Sequence, residues 1–160
     1  MYQALVFLHV IGIFGFLMAH GVSAGVFFAL RRERNVDRIR LLLLMSTGVA
    51  RAMLGSLLLL LVTGIVAGFM GKWWSHGWIW LSLGLLVAIY LAMGVLGSRV
   101  LNEVRQGVGL PTSYGKQPDP EMLSPEALDA LLNRIQPARL TAIGFGGLVL
   151  IAWLMMFKPF

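Results

Sequence analysis

The chain contains no cysteine. That excludes disulfides, thiolate metal sites, iron–sulfur clusters and a cysteine nucleophile, and leaves any metal to three histidines, nine methionines or a few carboxylates. Charge is almost as scarce, at 12% of residues against 58% hydrophobic, where a soluble fold carries about 25%. The sequence also lacks a hydrolytic triad, paired carboxylates and a phosphate-cradling loop. A 160-residue chain in water cannot bury this much apolar surface. Lipid is therefore the solvent for much of it, and a cytosolic enzyme, a nucleic-acid-binding domain and a disordered tail are excluded. The net charge of +6 would suggest nucleic acid in a soluble protein. In a membrane protein the placement of those charges matters more than their sum.

Spans follow from the distances between charges, since a bilayer core of roughly 30 Å needs about 20 apolar helical residues. Residues 1–30, 73–98 and 140–157 hold no Asp, Glu, Lys or Arg, and residues 41–70 hold one, Arg51. The expected fold is an all-α, polytopic four-helix bundle in a single domain, 1–160, with helices at about 2–30, 41–70, 75–98 and 139–157. Val22-Ser23-Ala24 resembles a leader-cleavage site, but without a basic n-region and after so long an apolar run a cleaved leader is not expected.

Ten basic residues lie in the segments 31–40 and 99–139, and two, Lys72 and Lys158, on the opposite side. By the positive-inside rule both termini face outward and the loop 99–138 is cytoplasmic, as in a bacterial inner-membrane protein. Trp73, Trp74, Trp78 and Trp80 then read as an aromatic belt at the outer surface. In the long loop, Gly107 to Pro111 and Gln117-Pro118-Asp119-Pro120 read as turn or extended segments. Ser124-Pro125-Glu126 reads as an N-cap, a Pro in the first turn and an acid beside it. The helix it opens, 125–135, places Leu128, Leu131, Leu132 and Ile135 on one face and is expected to lie on the membrane surface.

Polar groups inside the bilayer are costly and mark candidate sites. His9 and His20 share one face of the first helix, about 16 Å apart at 1.5 Å per residue. His9 lies about 10 Å below the outer end, and His76 sits at the outer mouth of the third helix. Together they could ligate one haem, provided the first helix lies beside the third; otherwise His9 bonds a carbonyl and His76 is an interfacial loop residue. His20, Arg51 and Tyr90 fall at similar depths nearer the inner side. Arg51 either meets an anion there, such as a haem propionate, or snorkels to the headgroups. Gly144, Gly146 and Gly147 read as a close-packing seam.

Leu8-His9-Val10 followed by small residues, Arg31-Arg32, Arg51 before a Leu-rich run ending Thr63-Gly64, Gly77-Trp78 and the final Phe157-Lys158-Pro159 form a layout. It resembles a family of bacterial predicted integral membrane proteins of uncharacterised function. That family is in turn similar to the copper-resistance D-type membrane domain and to the non-flavin, membrane-embedded protoporphyrinogen oxidase. The resemblance covers most of residues 1–105 and the last helix. It implies that His9 is the residue that matters for haem or porphyrin. The oxidase carries a Lys near the start of its third helix; Trp78-Ile79-Trp80-Leu81-Ser82-Leu83 has none, so oxidase activity is not assigned.

The expected function is binding of a hydrophobic redox cofactor, b-type haem or porphyrin, for electron transfer or porphyrin handling. The expected binding residues are His9, His76, His20, Arg51 and Tyr90, with His9 and His76 as metal ligands. Two other classes stand beside it: an accessory subunit of a respiratory or photosynthetic complex, and a small copper or solute transporter. Expected partners are the lipid bilayer and either other subunits of a membrane complex or further copies of this chain.

Overall fold

The computed structural model describes residues 1–117 and 122–160; Pro118, Asp119 and Pro120 of the expected turn lie outside the described residues. Helix α1 is Tyr2–Arg32 and α2 is Val36–Met70. A 3-10 turn at Trp73–Ser75 leads into α3, Gly77–Met93. After a π turn at Gly94–Ser98 the same rod continues as α4, Arg99–Gly107. Helices α5, Pro125–Asn133, and α6, Pro137–Phe157, complete the chain. There is no strand among the described residues. Four helical stretches are long and apolar enough to cross a membrane, so the protein is a multi-pass, all-helical membrane protein.

Both termini and the 71–76 turn share one end, here the terminal end. Trp78 N–H donates to the Phe160 carbonyl, and the Tyr2 and Trp73 rings lie 6.2 Å apart. The opposite, basic end holds the 33–35 turn, α4 and α5. Two expectations change there. First, seven of the ten residues of the segment 31–40 are helical. Asn35 caps α2, its Oδ1 accepting from the Asp37 and Arg38 amides, so only residues 33–35 separate α1 from α2. Second, residues 99–107 are not loop but the end of the third rod.

These extensions decide where the main core sits. At 1.5 Å per residue, 31-residue α1 is about 46 Å long and 35-residue α2 about 52 Å. A hydrocarbon layer of roughly 30 Å is much shorter, so apolar turns of both helices project beyond it. They need a protein partner, and α5 is it. Leu128, Leu131, Leu132 and Ile135 are buried against Val26, Leu30, Ile39, Leu43 and Val104. The amphipathic helix is therefore a wall of this basic-end core rather than a surface float. Arg34 pairs with Asp129 and Arg31 donates to the Ile135 carbonyl, tying α5 back to α1.

Arg105, counted above as a loop charge, is buried in the same core. Its guanidinium donates to the Leu43 carbonyl at 2.9 Å, the Thr47 hydroxyl at 3.1 Å and the Pro111 carbonyl at 2.7 Å. A buried charge tolerates such a place only when its donors are met. Arg105 thus joins α4, α2 and the following loop.

Candidate functional site

Within the spans the helices pack as two tight pairs, α1 with α2 and α3 with α6. The first pair closes over Gly12 and Gly15, where an added Cβ would sit 3.1 Å from the Leu60 backbone and 2.6 Å from the Ser56 hydroxyl. The second closes at Gly147, where a Cβ would overlap Ile89. Small residues supply this contact because lipid offers no hydrophobic drive between helices. Of the expected glycine seam, Gly144 and Gly147 are at contacts, while Gly146 faces nothing within 4 Å.

The two pairs meet through α1 and α6 but separate toward the terminal end, leaving a cavity of about 400 Å³ between α1, α2, α3 and α6. This lies within the roughly 300–1,000 Å³ of small-molecule sites. The walls are nearly all apolar. Phe16, Leu17, Phe145 and Leu148 line its deeper part, and Tyr2, Trp73 and Lys158 its terminal end. Trp78 lines it too and is 3% exposed, so it belongs to the core rather than to an outer belt. Trp80, 59% exposed, keeps the anchoring role, its indole N–H donating to the Trp74 carbonyl.

His9 lines this cavity from α1. Its Nδ1 lies 2.9 Å from the Leu60 carbonyl and 3.1 Å from the Thr63 hydroxyl. A carbonyl oxygen can only accept. The Thr63 hydroxyl donates to Leu59 at 2.6 Å, so toward His9 it also acts as an acceptor. The network therefore puts the proton on Nδ1 and leaves Nε2 with an exposed lone pair. A backbone carbonyl holding Nδ1–H is the arrangement that orients a metal-ligating imidazole. It serves equally for accepting a proton or a hydrogen bond. The ring is held against α2 at Gly64, where a Cβ would come within 3.0 Å of His9 Cε1. Ser82, another polar residue in the wall, is already satisfied by the Trp78 carbonyl at 2.8 Å.

The other expected residues are distributed differently. His76 is exposed beside Ser75 and does not line the cavity. The reason is helix adjacency: His9 lies against α2, not α3, so the His9–His76 pair is not brought together. His20 is 5% exposed and sits just below the cavity. It stacks on Phe16, with ring centroids 6.1 Å apart, and meets Phe145 edge-on at 4.9 Å. Gly144 of α6 faces it so closely that a Cβ there would overlap the ring. Arg51 is exposed on α2 and Tyr90 is 62% exposed on α3, so His20, Arg51 and Tyr90 form no cluster. Arg51 is 19 residues, about 28 Å, from Met70. A ~30 Å layer beginning at Met70 would put it at the far edge, within reach of headgroups.

Lys158 is the residue whose role the sequence did not reveal, having entered as a topology charge and as part of the closing Phe157-Lys158-Pro159. Its Nζ lies 4.9 Å from the Trp73 ring centre and 5.6 Å from that of Trp78. Among the described residues no group of three or more His, Cys, Asp or Glu forms a metal cluster. Comparison of the chain with protein-family models, with curated proteins and with solved structures returns no match.

Proposed function

We propose that this is a porphyrin-handling protein of the bacterial inner membrane, taking b-type haem or its metal-free ring into the cavity beside His9. The observation that carries the reading is His9: an imidazole inside an apolar cavity, its tautomer set by Leu60 and Thr63 so that Nε2 keeps its lone pair. The donor set fits the group. A flat apolar ring needs apolar walls, its iron needs a nitrogen ligand, and its carboxylates need a cation at the rim. When bound, haem would supply one-electron or ligand-binding chemistry at its iron. His9 would hold the iron; Phe16, Leu17, Phe145 and Leu148 would exclude water from one side.

A single histidine in the lining rules against a bis-histidine electron-transfer site and favours porphyrin handling, Met155 being the other lining side chain able to ligate iron. The expected result is that protein loaded with haem and reduced binds carbon monoxide, with a shift of its Soret band. A carbon-monoxide-insensitive spectrum would mean a second protein ligand and remove this distinction. A colourless protein purifying with stoichiometric partner subunits would favour the accessory-subunit reading.

The proposed orientation is N-out and C-out, with the basic end, its buried core and α5 in the cytoplasm. The cavity then opens toward the periplasmic side. A reporter fused after Gln117 is expected to read as cytoplasmic; alkaline phosphatase activity at that position would invert the arrangement.

A further inference from the structure

We infer that Lys158 is the carboxylate receptor of the cavity, so that its ligand is an amphiphilic ring carrying acid groups along one edge, held with that edge at the terminal end. This rests on the porphyrin reading and adds to it the feature by which the ligand is recognised and oriented.

Four observations meet at Lys158. It lines the same cavity as His9 and is the one Lys or Arg in that lining. Its ammonium is set over the faces of Trp73 and Trp78, which holds it at the mouth of the cavity. It has no carboxylate to pair with in the spans, because residues 1–32 and 38–102 contain no Asp or Glu. Among the described residues every Asp and Glu belongs to the basic end of the molecule. Finally, Lys158 takes a left-handed backbone conformation, φ 46°, as it closes α6, a conformation unfavourable for a residue other than glycine. That turn brings the side chain to the Trp73 and Trp78 rings.

Orientation then follows from desolvation. The deeper wall, Phe16, Leu17, Phe145 and Leu148, offers no donor to an anion, and burying an unpaired carboxylate there is prohibitive. The rim offers Lys158, about 10 Å above His9 by the seven-residue rise from Tyr2. An acid-edged ring therefore has one orientation in which no charge is stranded. A neutral ring of the same shape has no such preference.

The test uses metal-free protoporphyrin and its dimethyl ester, so that iron ligation by His9 does not enter. Trp73 and Trp78 line the cavity, and saturable quenching of their fluorescence in the detergent-purified full chain reads binding. The diacid is expected to bind wild type, and Lys158→Gln to weaken it about tenfold or more. Lys158→Arg should restore most of the affinity, and the ester should bind wild type and Lys158→Gln alike. Diacid and ester bound equally by both proteins would overturn the carboxylate role and leave the porphyrin reading standing. Failure of wild type to bind either compound would overturn both. Equal weakening of acid and ester in Lys158→Gln would assign Lys158 a packing role and overturn the inference.

Discussion

Gly144→Val is expected to break the α1/α6 seam and leave a protein that unfolds or aggregates on detergent extraction. A Cβ at 144 would overlap the His20 imidazole. That ring is crowded on two sides, by Phe16 in parallel at 6.1 Å and by Phe145 edge-on at 4.9 Å. His20 is 5% exposed, so relief must displace packed neighbours or α6 itself. Over-packing costs typically 1–3 kcal/mol, and the valine's further methyls place this case at or above the upper end. The same seam is the main contact between the two helix pairs, so losing it also opens the cavity floor. Gly146→Ala supplies the control. Nothing lies within 4 Å of its added Cβ, and alanine is the better helix former by about 1 kcal/mol. Its melting temperature in detergent should equal or exceed that of wild type. A folded, monodisperse Gly144→Val protein with unchanged melting temperature would show that α1 and α6 are not packed in this way.

Ala152→Trp is expected to abolish ligand binding while leaving the bundle folded. Ala152 lines the cavity from α6 and is exposed, so a larger side chain enters space instead of displacing packed atoms. It lies five residues from Phe157, about 8 Å below the helix end, close to the ~10 Å depth of His9. An indole there would fill much of the room in front of Nε2 without touching the His9 hydrogen bonds to Leu60 and Thr63. Porphyrin affinity should fall by two orders of magnitude or more, on the scale of an aromatic side chain competing for a buried site, with melting temperature unchanged or raised. Retained binding with wild-type affinity would place the ligand elsewhere on the chain.

The four spans could be read directly because each is a gap between charges, and lipid tolerates few charges within such a gap. Ser124-Pro125 likewise marked the start of α5, where the Ser124 hydroxyl accepts from the Ala127 amide. The basic-end core was harder to see. Charges at 31–40 read as a loop, yet an N-cap at Asn35 with Asp37 in the first turn was a helix start signal within that run. Reading it would have lengthened α2, and an overlong α2 calls for a partner such as α5.

His9 stood out as a polar group in lipid, but its role depends on which helix it faces, and that pairing is set by contacts at Gly12, Gly15 and Gly64 that no periodicity reveals. The expected partnership with His76 failed for that reason. Equal depth did not bring His20 and Tyr90 together either, because depth fixes height on a helix and not the direction a side chain takes. Lys158 had no local signal at all. Its place over Trp73 and Trp78 depends on the end of α6 meeting the start of α3.

In the proposed function one imidazole, His9, holds the iron of a haem inside this bundle. The most direct measurement is the haem content of wild type, His9→Ala and His76→Ala proteins, each expressed with haem precursor and assayed spectroscopically per mole of purified chain. About one haem per chain is expected in wild type and in His76→Ala, with a Soret band lost in His9→Ala while the protein remains folded. A Soret band that survives His9→Ala, or a folded wild-type protein that takes up no haem, would contradict it.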